Sequence, residues 1–136
     1  WNERFALAHE QFTQKKNIAL DELLKTLTIK TYLTNRIGFC LASNLISPPE
    51  ACDKMLSSHA GIDIACCLFR DGRRAFRRRD HGTLDLKAIA EIFGGGGQPY
   101  ASGAKLAQQI TKDNYVDVLF KIDTALNAHF VGNNSW

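Results

Sequence analysis

The residues with the clearest capacity for chemistry are six arginines between positions 70 and 80, in the sequence RDGRRAFRRRD. The segment also holds two aspartates, so its charge is +4, whereas the whole chain carries +3. All six cations are arginine, and a guanidinium group can bind phosphate through two parallel hydrogen bonds. Because neighbouring guanidinium groups repel one another, this density favours a bound anion such as phosphate. The alternative is a solvated edge strand whose charges prevent aggregation.

The second feature is a run of four glycines, Gly94 to Gly97. Such a run is entropically costly, but it exposes backbone N–H groups to a phosphate or nucleotide with no side chains in the way. It differs from a P-loop because no Lys-Ser or Lys-Thr follows it. It also differs from a dinucleotide fingerprint because it follows a predicted helix and not a strand. From these residues alone, a ligand contact and a flexible surface joint both remain open.

Other chemistry is less well supported. The four cysteines lack CxxC spacing and the four histidines are scattered, so no metal site is predicted. A chain of 136 residues can build a core without disulfides, which favours reduced thiols in a cytoplasmic protein. No apolar run approaches the roughly 20 residues that a membrane span needs.

Several elements must position the arginines and glycines. Apolar residues at helical spacing predict a helix over residues 2–25, and two strands follow, with the turn between them at Asn35. Ser47 is a helix cap followed by two prolines, and the next two strands turn at Asp71 and Gly72. A short helix begins near Asp85 and ends at Gly94, before the glycine loop, a strand and a last helix. The sequence therefore predicts an α+β fold, with helices packed on a mixed β-sheet.

The segment FRRRDHGTLDLKAIAEIFGGGGQPYASGA, residues 76–104, resembles a known family. It is similar to the signature of the C-terminal, DHH-associated domain of the DHH phosphoesterases. In that family a strand ends in Leu-Arg-Ser, and a short helix, three or four glycines, a histidine and Ala-Ala-Gly or Ala-Ser-Gly follow. The resemblance is strong over residues 69–106 and extends in outline over the whole chain.

The resemblance implies a substrate-binding domain, which holds a phosphate or nucleotide across a cleft from a separate catalytic domain with two manganese ions. The expected substrates are single-stranded or short oligonucleotides, or other phosphate-containing nucleotides, and polyphosphate is a substrate of some members. Carried over by position, the implied substrate-binding residues are Arg77, or Arg79 if the frame slips, together with Gly94, Gly95, Gly96, Gly97, Gln98, Ala101, Ser102 and Gly103.

Two departures from the family pattern matter. Gln98 stands where the family has a histidine, and its amide can donate a hydrogen bond but cannot become cationic, so we expect weaker phosphate binding or a shifted substrate preference. No DHH triplet is present, so this chain alone is expected to bind substrate without catalysing a reaction and to contain no metal ligands.

These features predict three segments. Residues 1–25 form a linker helix from a catalytic domain in cis, residues 26–131 form the binding domain, and residues 132–136 form a tail. The chain begins with Trp1 and not with Met, which supports an origin in a longer phosphodiesterase or other phosphoesterase. Two alternatives stay open: a stand-alone nucleic-acid-binding module, and a protein-interaction scaffold without a hydrolytic partner.

Overall fold

A six-residue apolar strand, Ile64–Phe69, lies at the centre of the sheet, and all six of its side chains are buried. The structure is a computed structural model that describes residues 3–105 and 108–134. Its elements, in chain order, are α1 (Glu3–Lys25), β1 (Thr28–Tyr32), β2 (Asn35–Ala42), α2 (Pro48–Ser58), β3 (Ile64–Phe69), β4 (Arg73–Arg78), α3 (Leu86–Ile92), β5 (Gly96–Gln98), β6 (Ala101–Lys105) and α4 (Tyr115–Asn134).

The strands form one mixed sheet in the order β1-β2-β3-β4-β6-β5. β2 and β3 are parallel, and each of the other neighbouring pairs is antiparallel. Helices cover both faces, so β3 is buried on both sides as its uninterrupted apolar sequence requires. The predicted α+β fold, with helices packed on a mixed sheet, is therefore confirmed.

Alternation along the strands divides the core into two hydrophobic clusters. Cys66 belongs to the cluster under α3 and α4, and Cys67 belongs to the cluster under α1 and α2. All four cysteines are buried free thiols. None of the described helices combines the length and the apolar character needed to cross a membrane.

The structure differs from the sequence predictions at three places. The first turn lies at Leu33 and Thr34, so Asn35 is the first residue of β2. The second half of the predicted glycine loop is a strand, β5, which pairs with β6. The last helix continues to Asn134, into the segment predicted as a tail. Residues 1, 2, 106, 107, 135 and 136 lie outside the described part of the chain.

Candidate functional site

The pairing of β4, β6 and β5 brings distant residues into two rows across the sheet. Arg77 lies opposite Ala101, and Ala101 lies opposite Gln98. In the neighbouring row, Ala75 pairs with Gly103, and Gly103 pairs with Gly96. Residues two apart on a strand share a face, so both rows lie on the α2 side, where Ala75 packs against the core.

A groove with a volume of about 330 Å³ runs over these rows beside the beginning of α2. Its floor consists almost entirely of glycine and alanine, because β5 and β6 carry few side chains on this face. The residues that line the groove are Pro48, Pro49, Cys52, Ala75, Phe76, Arg77, Gly96, Gly97, Ala101, Ser102 and Gly103. The structure therefore brings together six of the ten residues implied by the resemblance, from both sides of the glycine loop.

Arg77 supplies the positive charge of this groove. Its Nη1 lies 3.2 Å from a carboxylate oxygen of Asp53, on α2. The Arg77 side chain is 37% exposed and that of Asp53 is 62% exposed, so the pair is screened by water. A guanidinium has five N–H donors, and this single contact leaves others for a ligand.

Arg79 has a different environment. Its guanidinium donates hydrogen bonds of 2.9 Å to three backbone carbonyl oxygens, those of Leu56, His59 and Ile62. These carbonyls belong to the end of α2 and the turn after it, so Arg79 ties that end of the helix to the sheet. Arg79 does not line the groove. The family motif could match either Arg77 or Arg79, and only Arg77 lines the groove.

The other arginines of the segment also have partners within the protein. Arg73 pairs with Asp71 at 2.7 Å, and Arg78 donates to the Leu84 carbonyl at 2.7 Å. Arg74 is buried and stacks on the Phe93 ring at 4.7 Å, and this burial lowers its pKa. The segment therefore tolerates its charge largely through contacts within the chain, whereas the sequence analysis expected bound anions to do so. Among the described residues, Arg70 alone of the six has no such partner.

The first two glycines of the run end α3. The Gly94 N–H donates to the Glu91 carbonyl at 3.1 Å, and the Gly95 N–H donates to the Ala90 carbonyl at 2.8 Å. This is the Schellman arrangement, with Gly94 in the left-handed region at φ +77°. Both N–H groups are occupied, so they do not supply the free donors that the sequence analysis expected at these two positions.

The next two glycines differ from each other. Gly97 has φ +137°, and a Cβ atom there would lie 2.7 Å from the Cα of Ser102. The backbone conformation and the close neighbour therefore both require glycine at position 97. Gly96 has no positive φ, and a Cβ atom there would have no contact within 4 Å. The fold does not require glycine at position 96, where an added side chain would meet only open space.

Ser102 and Gln98 contribute unequally to the groove. The Ser102 hydroxyl donates to the Leu86 carbonyl at 2.7 Å on the opposite face of the sheet, so Ser102 presents its backbone to the groove. Gln98 is exposed at the end of β5, in the same row as Arg77 but two strands away. Neighbouring strands are about 4.8 Å apart, so the two backbones are separated by about 10 Å.

The wall contributed by α2 was missed by the sequence analysis. Ser47 and Glu50 form a capping box at the start of this helix, but Pro48 and Pro49 have no N–H to offer a ligand. Burial raises the pKa of Cys52 to about 12, so its thiol stays protonated and is a poor nucleophile. No local signal in the sequence indicates that this helix borders the glycines, since the contact depends on how the sheet is paired.

Within residues 3–105 and 108–134, no three His, Cys, Asp or Glu side chains are grouped in a way that could hold a metal ion. The described residues therefore do not fit the two manganese ions that the resemblance implies for the complete enzyme.

Comparison with known proteins bears on the class of fold. No protein-family model matches the sequence, and no curated protein matches it. Among solved structures, the chain is similar to an exopolyphosphatase-related protein from Bacteroides fragilis, with 16% identity and a TM-score of 0.59 over 88% of this chain and 36% of that one. It is similar to a pGpG-specific phosphodiesterase from Vibrio cholerae, with 13% identity and a TM-score of 0.52 over 88% and 41% of the two chains.

A third similar structure is a DHH domain of a member of the s1p family of ribosomal proteins, with 18% identity and a TM-score of 0.51. That match covers 85% of this chain and 31% of the other, so this chain spans between about a third and two fifths of the length of the three structures. At these identities the likeness concerns the fold. The chain shares its α+β fold with part of each of these proteins, one of which is described as a DHH domain, and this likeness of fold agrees with the resemblance of its sequence.

Proposed function

We propose that this chain is the substrate-binding domain of a DHH-family phosphoesterase. In this proposal the groove holds the phosphate of a short or single-stranded oligonucleotide, or of another phosphate-containing nucleotide, for a separate catalytic domain in the same protein. The observation that supports it most directly is the partly exposed Arg77 guanidinium beside a floor of glycine and alanine. The guanidinium group can bind a phosphate there through two parallel hydrogen bonds. A floor with few side chains lets a sugar-phosphate backbone approach the sheet closely.

The charges around the groove support an extended anionic ligand. A second depression adjoins the groove and shares Pro48, Ala75, Ser102 and Gly103 with it, and its lining adds Arg73 and Lys105. Arg73 and Arg77 are four residues apart on β4, so their backbones are separated by about 13 Å along the strand. This separation is suited to a ligand with more than one phosphate group.

The hydrolytic chemistry is assigned to another domain. Manganese ions held there would activate water for attack on phosphorus, and the role of this chain is confined to binding and orienting the substrate. We also propose a cytoplasmic location, because the four buried thiols are compatible with a reducing compartment.

The test compares Arg77→Ala with Arg36→Ala in binding a short oligonucleotide that carries a 5′-phosphate. Arg36 is an exposed arginine at the start of β2 and lies outside the groove, so it controls for the loss of one positive charge. We expect Arg77→Ala to weaken binding by about 1–3 kcal/mol, or about fivefold to about 150-fold, and Arg36→Ala to have little effect. Circular dichroism and denaturant unfolding verify that both variants are folded.

A salt titration of the parent protein completes the test, because binding through phosphate contacts must weaken steeply as salt rises. Unchanged affinity in a folded Arg77→Ala variant would remove Arg77 as the phosphate contact. If the parent protein shows no salt-dependent binding of oligonucleotides at all, the chain is better described as a protein-interaction scaffold.

A further inference from the structure

A second cavity lies at the carboxyl ends of the parallel strands β2 and β3. It has a volume of about 520 Å³, within the range of pockets that hold small organic ligands. The residues that line it are Lys15, Ile18, Ala19, Glu22, Leu23, Lys25, Thr26, Leu41, Ser43, Leu45, Arg70 and Lys112. It shares no residue with the groove, and in open sheets the carboxyl ends of parallel strands are a frequent place for ligands.

The lining of this cavity carries an excess of positive charge. Four of its residues are cationic and one, Glu22, is acidic, and Glu22 pairs with Lys25 at 3.0 Å. The other three cations, Lys15, Arg70 and Lys112, have no carboxylate within 4.0 Å in the part of the chain that is described. Three unpaired cations around one cavity favour an anionic ligand.

Backbone contacts hold two of these cations next to each other. The Ile110 N–H donates to the Arg70 carbonyl at 2.9 Å, which fixes the segment before α4 against the end of β3. The turn that carries Lys112 is closed by the Thr111 N–H, which donates to the Asn114 side chain at 2.7 Å. These contacts fix the backbone of the segment that carries Lys112 against the end of β3, next to Arg70.

The cavity also has an apolar side. Ile18 and Leu45 line it and are 60% and 50% exposed, respectively, so each leaves an apolar surface uncovered. The hydroxyl oxygen of Ser43 in the cavity wall is buried and has no hydrogen-bond partner in the described structure. An unsatisfied buried hydroxyl is costly, but this oxygen is closed off from solvent and therefore does not contact a ligand in the cavity directly.

We propose that this cavity is a second ligand site, which binds a small organic phosphate of the nucleoside-monophosphate type. The phosphate lies among Lys15, Arg70 and Lys112, and the apolar body of the ligand covers Ile18 and Leu45. An inorganic ion would satisfy the charges but would leave both apolar side chains uncovered. The proposal does not depend on the function assigned to the groove, because the two sites have no residue in common.

The experiment titrates the whole chain with AMP, adenosine and inorganic phosphate separately and follows backbone amides by NMR. We expect AMP to shift the amides of Ser43 and Arg70, with at least about tenfold tighter binding than adenosine or inorganic phosphate. Arg70→Gln with Lys112→Gln should weaken AMP binding at these amides by about tenfold or more. The matched control is Lys87→Gln with Lys121→Gln, which removes two exposed positive charges outside the cavity and should leave the affinity unchanged.

Two further variants separate this site from the groove and from effects on folding. Arg77→Ala should leave the AMP-dependent shifts of Ser43 and Arg70 intact, even if it abolishes shifts at Gly96 and Gly103. Ser43→Ala removes an unpartnered hydroxyl that is closed off from solvent, so it should lower neither the stability of the ligand-free protein nor the affinity for AMP. The proposal is overturned if AMP shifts only the groove amides, if adenosine or inorganic phosphate binds as tightly as AMP, or if the control pair weakens binding equally.

Discussion

The four consecutive glycines are subject to different constraints. Gly94 and Gly95 end α3, and a Cβ atom on Gly95 would lie only 2.0 Å from the Gly103 carbonyl oxygen. Gly97 needs its positive φ, whereas Gly96 needs neither an unusual conformation nor extra space. The fold therefore does not require glycine at position 96, which makes it the residue that best separates binding from folding.

Gly96→Ala and Gly95→Ala should have opposite effects on stability. Alanine at position 96 is accommodated without strain and should raise the free energy of unfolding by about 0.5–1 kcal/mol, because it lowers the entropy of the unfolded chain. Alanine at position 95 must displace backbone and should lower it by about 1–3 kcal/mol or more. Urea denaturation measures both changes.

The same Gly96→Ala variant, and more strongly Gly96→Val, should weaken oligonucleotide binding because the added side chain rises from the groove floor. A stable Gly96→Val protein with unchanged affinity would mean that no ligand approaches this part of the sheet. A destabilised Gly96→Ala protein would instead contradict the open space described at this position.

Among the elements, α2 is the helix that borders the groove. Its first turn forms one wall, Asp53 pairs with Arg77, and Arg79 holds the last carbonyls of the helix. The capping box that starts it is reinforced by a salt bridge from Lys16 on α1 to Glu50. The position of the groove wall thus depends in part on charge at Glu50.

Glu50→Gln should therefore change how stability depends on pH. The hydrogen bonds from Lys16 and Ser47 lower the pKa of Glu50 in the folded protein. A carboxylate whose pKa is lower in the folded state than in the unfolded state stabilises the fold at pH values above its unfolded-state pKa. This stabilisation is lost as the pH falls through its folded-state pKa. The parent should lose more stability than Glu50→Gln between about pH 7 and about pH 3. Equal losses in urea melts at the two pH values would show that the charge does not stabilise α2.

Elements with local signals were predicted correctly from the sequence. The cap at Ser47, the hairpin at Asp71 and Gly72, and the start and stop of α3 at Asp85 and Gly94 all depend on neighbouring residues. β5 was missed because two of its three residues are glycine, which has low strand propensity, and its pairing with β6 supplies the structure.

The candidate groove could be anticipated from the sequence only in part, because local signals do not indicate which distant residues the sheet brings together. Arg77 and the Ala-Ser-Gly segment were implied by the family resemblance, and the strand register brings them together. The role of Arg79 could not be predicted, because its carbonyl partners lie 17 to 23 residues earlier in the chain. Likewise, the pairing of Asp53 with Arg77 depends on how α2 packs across the sheet.

At the scale of the whole molecule, the core covers the sheet on both faces but leaves half of α1 without cover. Leu23, near the end of this helix, is fully buried, whereas Leu7 and Phe12 are 56% and 53% exposed. Every side chain from residue 6 to residue 15 is exposed. This half of α1 is the surface that the catalytic domain would cover if the proposed function is correct.

The free energy of unfolding of the chain by itself should therefore change little when residues in this half of α1 are substituted. We expect the double variant Leu7→Ser and Phe12→Ser to alter the free energy of unfolding by less than about 0.5 kcal/mol, because neither side chain is buried. The matched variant Leu23→Ala should cost about 2–5 kcal/mol, because it leaves a cavity between α1 and the sheet. Hydrogen exchange should agree, with fast exchange at residues 7–14 and protection at residues 20–25, since a short helical segment without packing is marginal in water. If the double serine variant were as destabilised as Leu23→Ala, the first half of α1 would be packed within this domain, and it would not be a free surface for a catalytic partner.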